Sequence, residues 1–212
     1  DQDENWFYKL IVRPRLWLLS KTSDNRIFQE KSVKDIVSAV LDQHGVSDYE
    51  WDLRGTLPLR EYCVQYGESD LDFVQRLLEH EGIFYFFRFA EDKHTLVLCD
   101  DPQLLQAASG GATLVYGARG TDRYNVGGTI SGGQGVITRF NRMDRIVPGS
   151  HSLTDYDFEK PSADLMAKTD NAKSHSHADG ARYSYPGTYI EHGRGSGLAD
   201  IRNQEDQAHA HM

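Results

Sequence analysis

The stretch from Glu61 to Pro102 leaves this chain few choices, because it spells a strand, a capped helix and a hairpin almost without interruption. From Arg60 to Tyr66 the side chains alternate, with Tyr62, Val64 and Tyr66 on one face and Glu61, Cys63 and Gln65 on the other. Ser69 then stands as an N-cap with Asp72 three residues on, a capping-box variant that puts acid where the helix dipole favours it. Phe73, Val74, Leu77 and Leu78 form an apolar stripe, and Gly82 supplies a left-handed stop. Ile83 to Ala90 alternates bulky residues, turns through Glu91-Asp92-Lys93, and returns as a second strand from His94 to Cys99. No residue breaks these local signals as a reactive site would, so the stretch reads as scaffold.

The flanks extend the pattern. Tyr8 to Leu19 is expected as a strand, pushed to an edge or bulge by Pro14, and Lys21 to Asn25 as a polar turn. Ser32 caps a second helix with Asp35 at its third position. Val33, Ile36, Val37, Val40 and Leu41 fall at helical spacing before His44-Gly45 ends it. Beyond Pro102 a helical turn is expected from Gln103 to Ala108. The glycine pairs at Gly110, Gly127 and Gly132 then separate short candidate strands, as in antiparallel β structure. Val136 to Met143 and Ser152 to Phe158 are the clearest strands. Pro161 to Asp179 is expected as a helix followed by a loop, and Leu198 to Ala210 as a thinly apolar helix. The fold class is α+β, with short helices among mostly hairpin-linked strands.

A body of 212 residues buries enough surface to fold without staples. Cys63 and Cys99, both on expected strands, are read as reduced, packed thiols. The net charge of -9 argues against general affinity for nucleic acid or anionic lipid, both of which demand clustered Lys and Arg, and points to protein partners. No apolar run reaches the length of a membrane span, and Asp1-Gln2-Asp3-Glu4 is the opposite of a signal-peptide start; the chain is expected to be a piece of a longer polypeptide.

Several constellations invite chemistry, and each has a plainer account. His175 and His177, His209 and His211, with His151 and His192, suggest a metal. In loops and at a terminus they offer no fixed convergent geometry, and in a helix residues two apart diverge. Gly193-Arg194-Gly195-Ser196-Gly197, after a strand-like Thr188 to Glu191, imitates a dinucleotide loop but has Leu198 where the third glycine belongs; a flexible entry into the last helix is the better reading. Cys63 lies in a regular strand with nothing beside it in sequence to lower its pKa. Asp100-Asp101 and Glu79 with Glu81 are acids without a cleft. Phe84 to Phe89 lacks the basic frame of a base-stacking surface and reads as core on one face and interface on the other. No catalytic, cofactor-binding or metal-binding residue is assigned. The alternative is a metal-dependent hydrolase built from the histidine-rich second half.

One resemblance covers most of the chain in order. It rests on Tyr62-Cys63-Val64-Gln65-Tyr66, Glu68-Ser69-Asp70-Leu71 opening a helix, Glu81-Gly82 before an aromatic strand, and Leu96-Val97-Leu98 with Asp100-Asp101-Pro102. Leu16-Trp17-Leu18-Leu19 with Arg26-Ile27-Phe28-Gln29, Pro148-Gly149 with Asp155-Tyr156-Asp157-Phe158, and Tyr185-Pro186-Gly187 extend it. Together these resemble the VgrG spike proteins of bacterial type VI secretion, which are similar to the hub under the spike of contractile phage tails. Gly67 departs from a more usual charged residue and is expected to loosen the turn there. The resemblance implies antiparallel β-barrel pieces of a phage tail hub-like fold, with 1–19 ending a first barrel-like domain. An inserted α+β subdomain over 20–102 and a second barrel-like domain with peripheral helices over 103–212 follow. It also implies a non-enzymatic homotrimer that seats on the hexameric Hcp tube and carries effector or adaptor proteins, assembled in the bacterial cytoplasm and then expelled, without cofactor, nucleic acid or membrane span.

Overall fold

Ser32 and Ser69 each start a helix. Ser32 Oγ accepts the Asp35 N–H at 3.2 Å while the Asp35 carboxylate takes the Ser32 N–H at 3.1 Å, a complete capping box. Ser69 Oγ accepts the Asp72 N–H at 3.1 Å. The computed structural model describes residues 8–106, 115–116, 136–137, 140–170, 177 and 179–208. The chain divides into two compact units, Asp1–Pro102 and Gln103–Met212.

The first unit runs through a 3-10 helix (Arg15–Lys21), β1 (Ser23–Ser32), α1 (Val33–Gln43), β2 (Tyr49–Asp52), β3 (Leu59–Ser69), α2 (Asp70–His80), β4 (Phe84–Phe89) and β5 (His94–Cys99). β1 and β3 form an antiparallel ribbon. β5 is central to a second sheet, antiparallel to β4 and parallel to β2. The apolar stripes read from the sequence bury against one another: Val33, Ile36, Val37, Val40 and Leu41 of α1 meet Phe73, Val74, Leu77 and Leu78 of α2, with Leu96 and Leu98 of β5. Each such side chain contributes about 1.5–3 kcal/mol relative to exposure. Gly45 and Gly82 end the two helices with φ of +64° and +71°.

Three expectations in this unit are corrected. Tyr8 to Leu19 is not a strand: residues 8–14 lack regular structure and a 3-10 helix follows. A Leu-Trp-Leu-Leu run is ambiguous between helix and strand, and burying Leu16 and Leu19, three residues apart, decides it. Pro14 fits the position before the helix, where its missing N–H costs nothing and its carbonyl accepts the Trp17 N–H at 3.0 Å. The supposed turn at Lys21 to Asn25 is largely the start of β1. Gly67 does not loosen a turn. It takes φ +64° within β3, where the register shifts opposite Asn25, and its N–H donates to Asn25 Oδ1 at 2.9 Å. This bulge keeps the strand continuous.

In the second unit β6 (Val115–Tyr116) and β7 (Val136–Ile137) pair in parallel. β8 (Ser150–Leu153) lies between β9 (Ala167–Asp170), antiparallel to it, and β10 (Ala181–Ser184), parallel to it. α3 (His192–Ala208) packs on β8 and β9 through Leu198 and Ala199, in a core with Leu153, Leu165, Ala167 and Tyr189. The mixed α and β class holds, but the pairing is not antiparallel throughout: β2 with β5, β6 with β7 and β8 with β10 run parallel. Among the described residues no sheet closes into a barrel. The strand expected over Ser152 to Phe158 starts at Ser150 and leaves the sheet after Leu153, and that over Val136 to Met143 stops at Ile137 as far as described. The described part of 161–179 contains β9 and no helix, and Thr188 to Glu191 is bent chain. The last helix begins at His192, so the glycine-rich motif lies inside it. From Gln103 only a 3-10 turn, Pro102–Leu104, is described, and the three glycine pairs fall outside the described residues. Among the described residues no helix is long and apolar enough to cross a membrane.

Candidate functional site

The most concentrated chemistry in the first unit surrounds Asp70. Its backbone opens α2, its N–H donates to Thr22 O at 2.9 Å, and its side chain is only 1% exposed. Oδ1 accepts from Arg26 Nη2 at 2.8 Å and Gln65 Nε2 at 2.7 Å; Oδ2 accepts from Thr22 Oγ1 at 2.7 Å and lies 2.6 Å from His44 Nε2. Burial is the strongest single influence and opposes ionisation. The hydrogen bonds from Gln65, Thr22 and His44 and the charge of Arg26 together outweigh it and hold the carboxyl below its ordinary range.

Asp, His and Thr in contact raise the question of a nucleophilic triad, and the geometry answers it. The same His44 nitrogen faces both Asp70 Oδ2 and Thr22 Oγ1, the latter at 3.4 Å, and the hydroxyl donates to the carboxylate. A triad needs the acid on one imidazole nitrogen and the nucleophile on the other. This cluster instead ties the start of β1, the end of α1, β3 and the first turn of α2 into one joint. Sequence reasoning missed it, because an acid in the first turn of a helix reads as an ordinary dipole partner.

The residues singled out in the sequence are likewise absorbed into structure. Asp100 accepts the backbone N–H groups of Arg54 and Gly55 at 2.9 and 3.1 Å, and Asp101 pairs with Arg54 at 2.9 Å. The Glu81 side chain, 2% exposed, pairs with Arg60 at 2.8 Å. Cys63 and Cys99 are both buried and free, Cys63 facing the core beside Phe28 and Cys99 donating to Asp101 O at 3.2 Å. On β3 the inward face carries Cys63 and the fully buried Gln65, while Tyr62 and Tyr66 are exposed.

The described histidines of the second unit do not converge. His151 is buried with Nε2 2.6 Å from Asp206 Oδ2, a carboxylate that also accepts from Arg182 at 3.0 Å; His192 faces Met166 O at 3.1 Å. His175, His209 and His211 lie outside the described residues, and among the described ones no group of three or more metal-ligating side chains assembles. The glycine-rich motif has a packing explanation. A Cβ at Gly195 would overlap the ring of buried Tyr189, whose hydroxyl reaches Leu153 O and Leu165 O at 2.8 and 2.6 Å, whereas a Cβ at Gly193 or Gly197 would meet nothing. Burial pushes the Tyr189 hydroxyl above its ordinary range.

What remains is surface. Ile27, Tyr62 and Tyr66 stand exposed along the outer side of the β1–β3 ribbon, and Phe89 protrudes from β4 at 76% exposure. Such arrays suit contact with other proteins rather than turnover of a small molecule.

The comparisons agree with that character. A family model, phage tail baseplate hub (GPD), matches residues 1–212, and the chain belongs to this family. It is similar to type VI secretion system spike protein VgrG1b of Pseudomonas aeruginosa, with 38% identity over 201 residues covering 95% of this chain and 26% of that protein. It is equally similar to VgrG1a of the same bacterium, 38% identical over 208 residues covering 95% of this chain and 30% of that protein. The chain thus spans less than a third of the length of these relatives. Among solved structures, an E. coli component of the type VI secretion system, titled as structurally similar to T4 bacteriophage tail proteins gp27 and gp5, is 30% identical. It aligns over 49% of this chain and 28% of its own at a TM-score of 0.41.

Proposed function

We propose that this chain is the hub portion of a type VI secretion spike and works mechanically. Three copies in the complete protein form a ring that seats on the hexameric Hcp tube and carries effector or adaptor proteins outward when the sheath contracts. The observation that carries this reading is the hub-family match over the whole chain. The described buried acids and histidines are consistent with it, because Asp70, Glu81 and His151 each have a structural partner. In this reading residues 1–19 end one barrel-like domain, 20–102 form an inserted brace, and 103–212 begin a second barrel-like domain. Three chains with two such domains each present a near-sixfold face to the tube. The spike assembles in the cytoplasm and leaves the cell with its cargo.

The test is release of the tube protein. Deleting the segment that encodes this chain from the full-length gene abolishes Hcp in the culture medium, and the intact gene restores it. Unchanged Hcp release from a strain whose only spike gene carries the deletion would contradict the proposal.

A further inference from the structure

In an acidic protein, the segment between Glu4 and Asp24 contains no carboxylate side chain and carries Lys9, Arg13, Arg15 and Lys21. Two of these cations converge on one ring: Lys21 Nζ lies 4.4 Å and the Arg13 guanidinium carbon 5.2 Å from the centroid of Trp17. Neither makes an ion pair with a carboxylate among the described residues, whereas Arg15 is committed to Gly45 O at 3.0 Å. Beside this ring opens a groove of about 190 Å³ floored by Leu16, Trp17, Leu71, Tyr85 and Phe87, with Arg13 at its rim.

We infer that this groove is a docking site for a peptide segment of a partner protein that bears carboxylates around an aromatic or branched aliphatic side chain. The apolar floor accepts the anchor, and Arg13 and Lys21, which have no carboxylate partner among the described residues, meet the acids. Charge complementarity selects this occupant, since two cations held at an apolar cleft repel a basic peptide and leave a neutral one without partners for the rim. The inference stands apart from the hub reading, because it concerns what binds one face of the first unit and holds whether or not the complete protein trimerises.

The test uses the 212-residue chain and fluorescein-labelled Asp-Glu-Asp-Phe-Leu-Asp-Glu, followed by fluorescence anisotropy. Two control peptides replace either the acids by Lys or Phe-Leu by Ser-Ser. The acidic apolar peptide binds, both controls bind at least about tenfold more weakly, and the double variant R13E/K21E loses about tenfold in affinity, as expected for reversing two rim charges. A thermal melt shows that the variant folds, and the single variant Arg13→Lys keeps the binding. Equal affinity for the lysine or serine peptide, full affinity of the folded double variant, or no binding of the acidic peptide would overturn the assignment. So would sedimentation of the chain with phosphatidylglycerol vesicles that the acidic peptide fails to displace.

Discussion

Asp70 shows how much one residue can carry without being catalytic. Its four side-chain partners come from β1, the residue before it, the end of α1 and β3. Replacing it with Asn keeps the shape but leaves Arg26 without a buried counter-charge. Asp70→Asn is expected to cost about 3 kcal/mol, read as a lower urea midpoint at neutral pH. The sign of the pH dependence follows from the depressed folded-state value. The carboxylate's contribution is fully present above the unfolded value near 3.8 and is lost as pH falls below it through the folded value. The difference in midpoint between wild type and Asp70→Asn should therefore hold above the unfolded value of 3.8 and shrink as pH falls below it; a difference that stays constant would show that the charge is not what the joint uses.

At the scale of elements, the second unit's helix turns a misleading motif into a test. Gly195 is excluded from carrying a side chain by the Tyr189 ring, while Gly197 two residues on faces open space. Gly195→Ala is expected to destabilise by about 1–3 kcal/mol through overpacking, and Gly197→Ala to stabilise by up to about 1 kcal/mol through helix propensity. Opposite shifts in thermal midpoint from the same substitution would show that packing against Tyr189 is what requires glycine at 195; equal shifts would contradict it. The same contrast explains what was legible. α1 and α2 could be read because caps, stripe and stop agree at each. α3 could be read only from Leu198 onward, since three glycines in its first two turns argue against a helix there until tertiary packing on Tyr189 overrides them. The 3-10 helix at Arg15 was hidden because a four-residue apolar run has no period. The Asp70 joint was hidden because the residues that meet there are far apart in sequence, and nothing local marks Gln65 or Asp70 as buried.

At the scale of the whole molecule, the polar groups that are described serve as ties: Asp70, Glu81, Asp100, His151 and Asp206 all close contacts between elements. A hub needs packed units and contact surfaces; the two buried cores and the exposed Ile27, Tyr62 and Tyr66 fit that need. The proposed ring accounts for the exposed apolar faces that a lone unit leaves to solvent. The central claim is met most directly by the mass of the full-length protein in solution, measured by multi-angle light scattering behind size exclusion. A hub gives three times the chain mass across a tenfold range of concentration. A stable monomer over that range would contradict it.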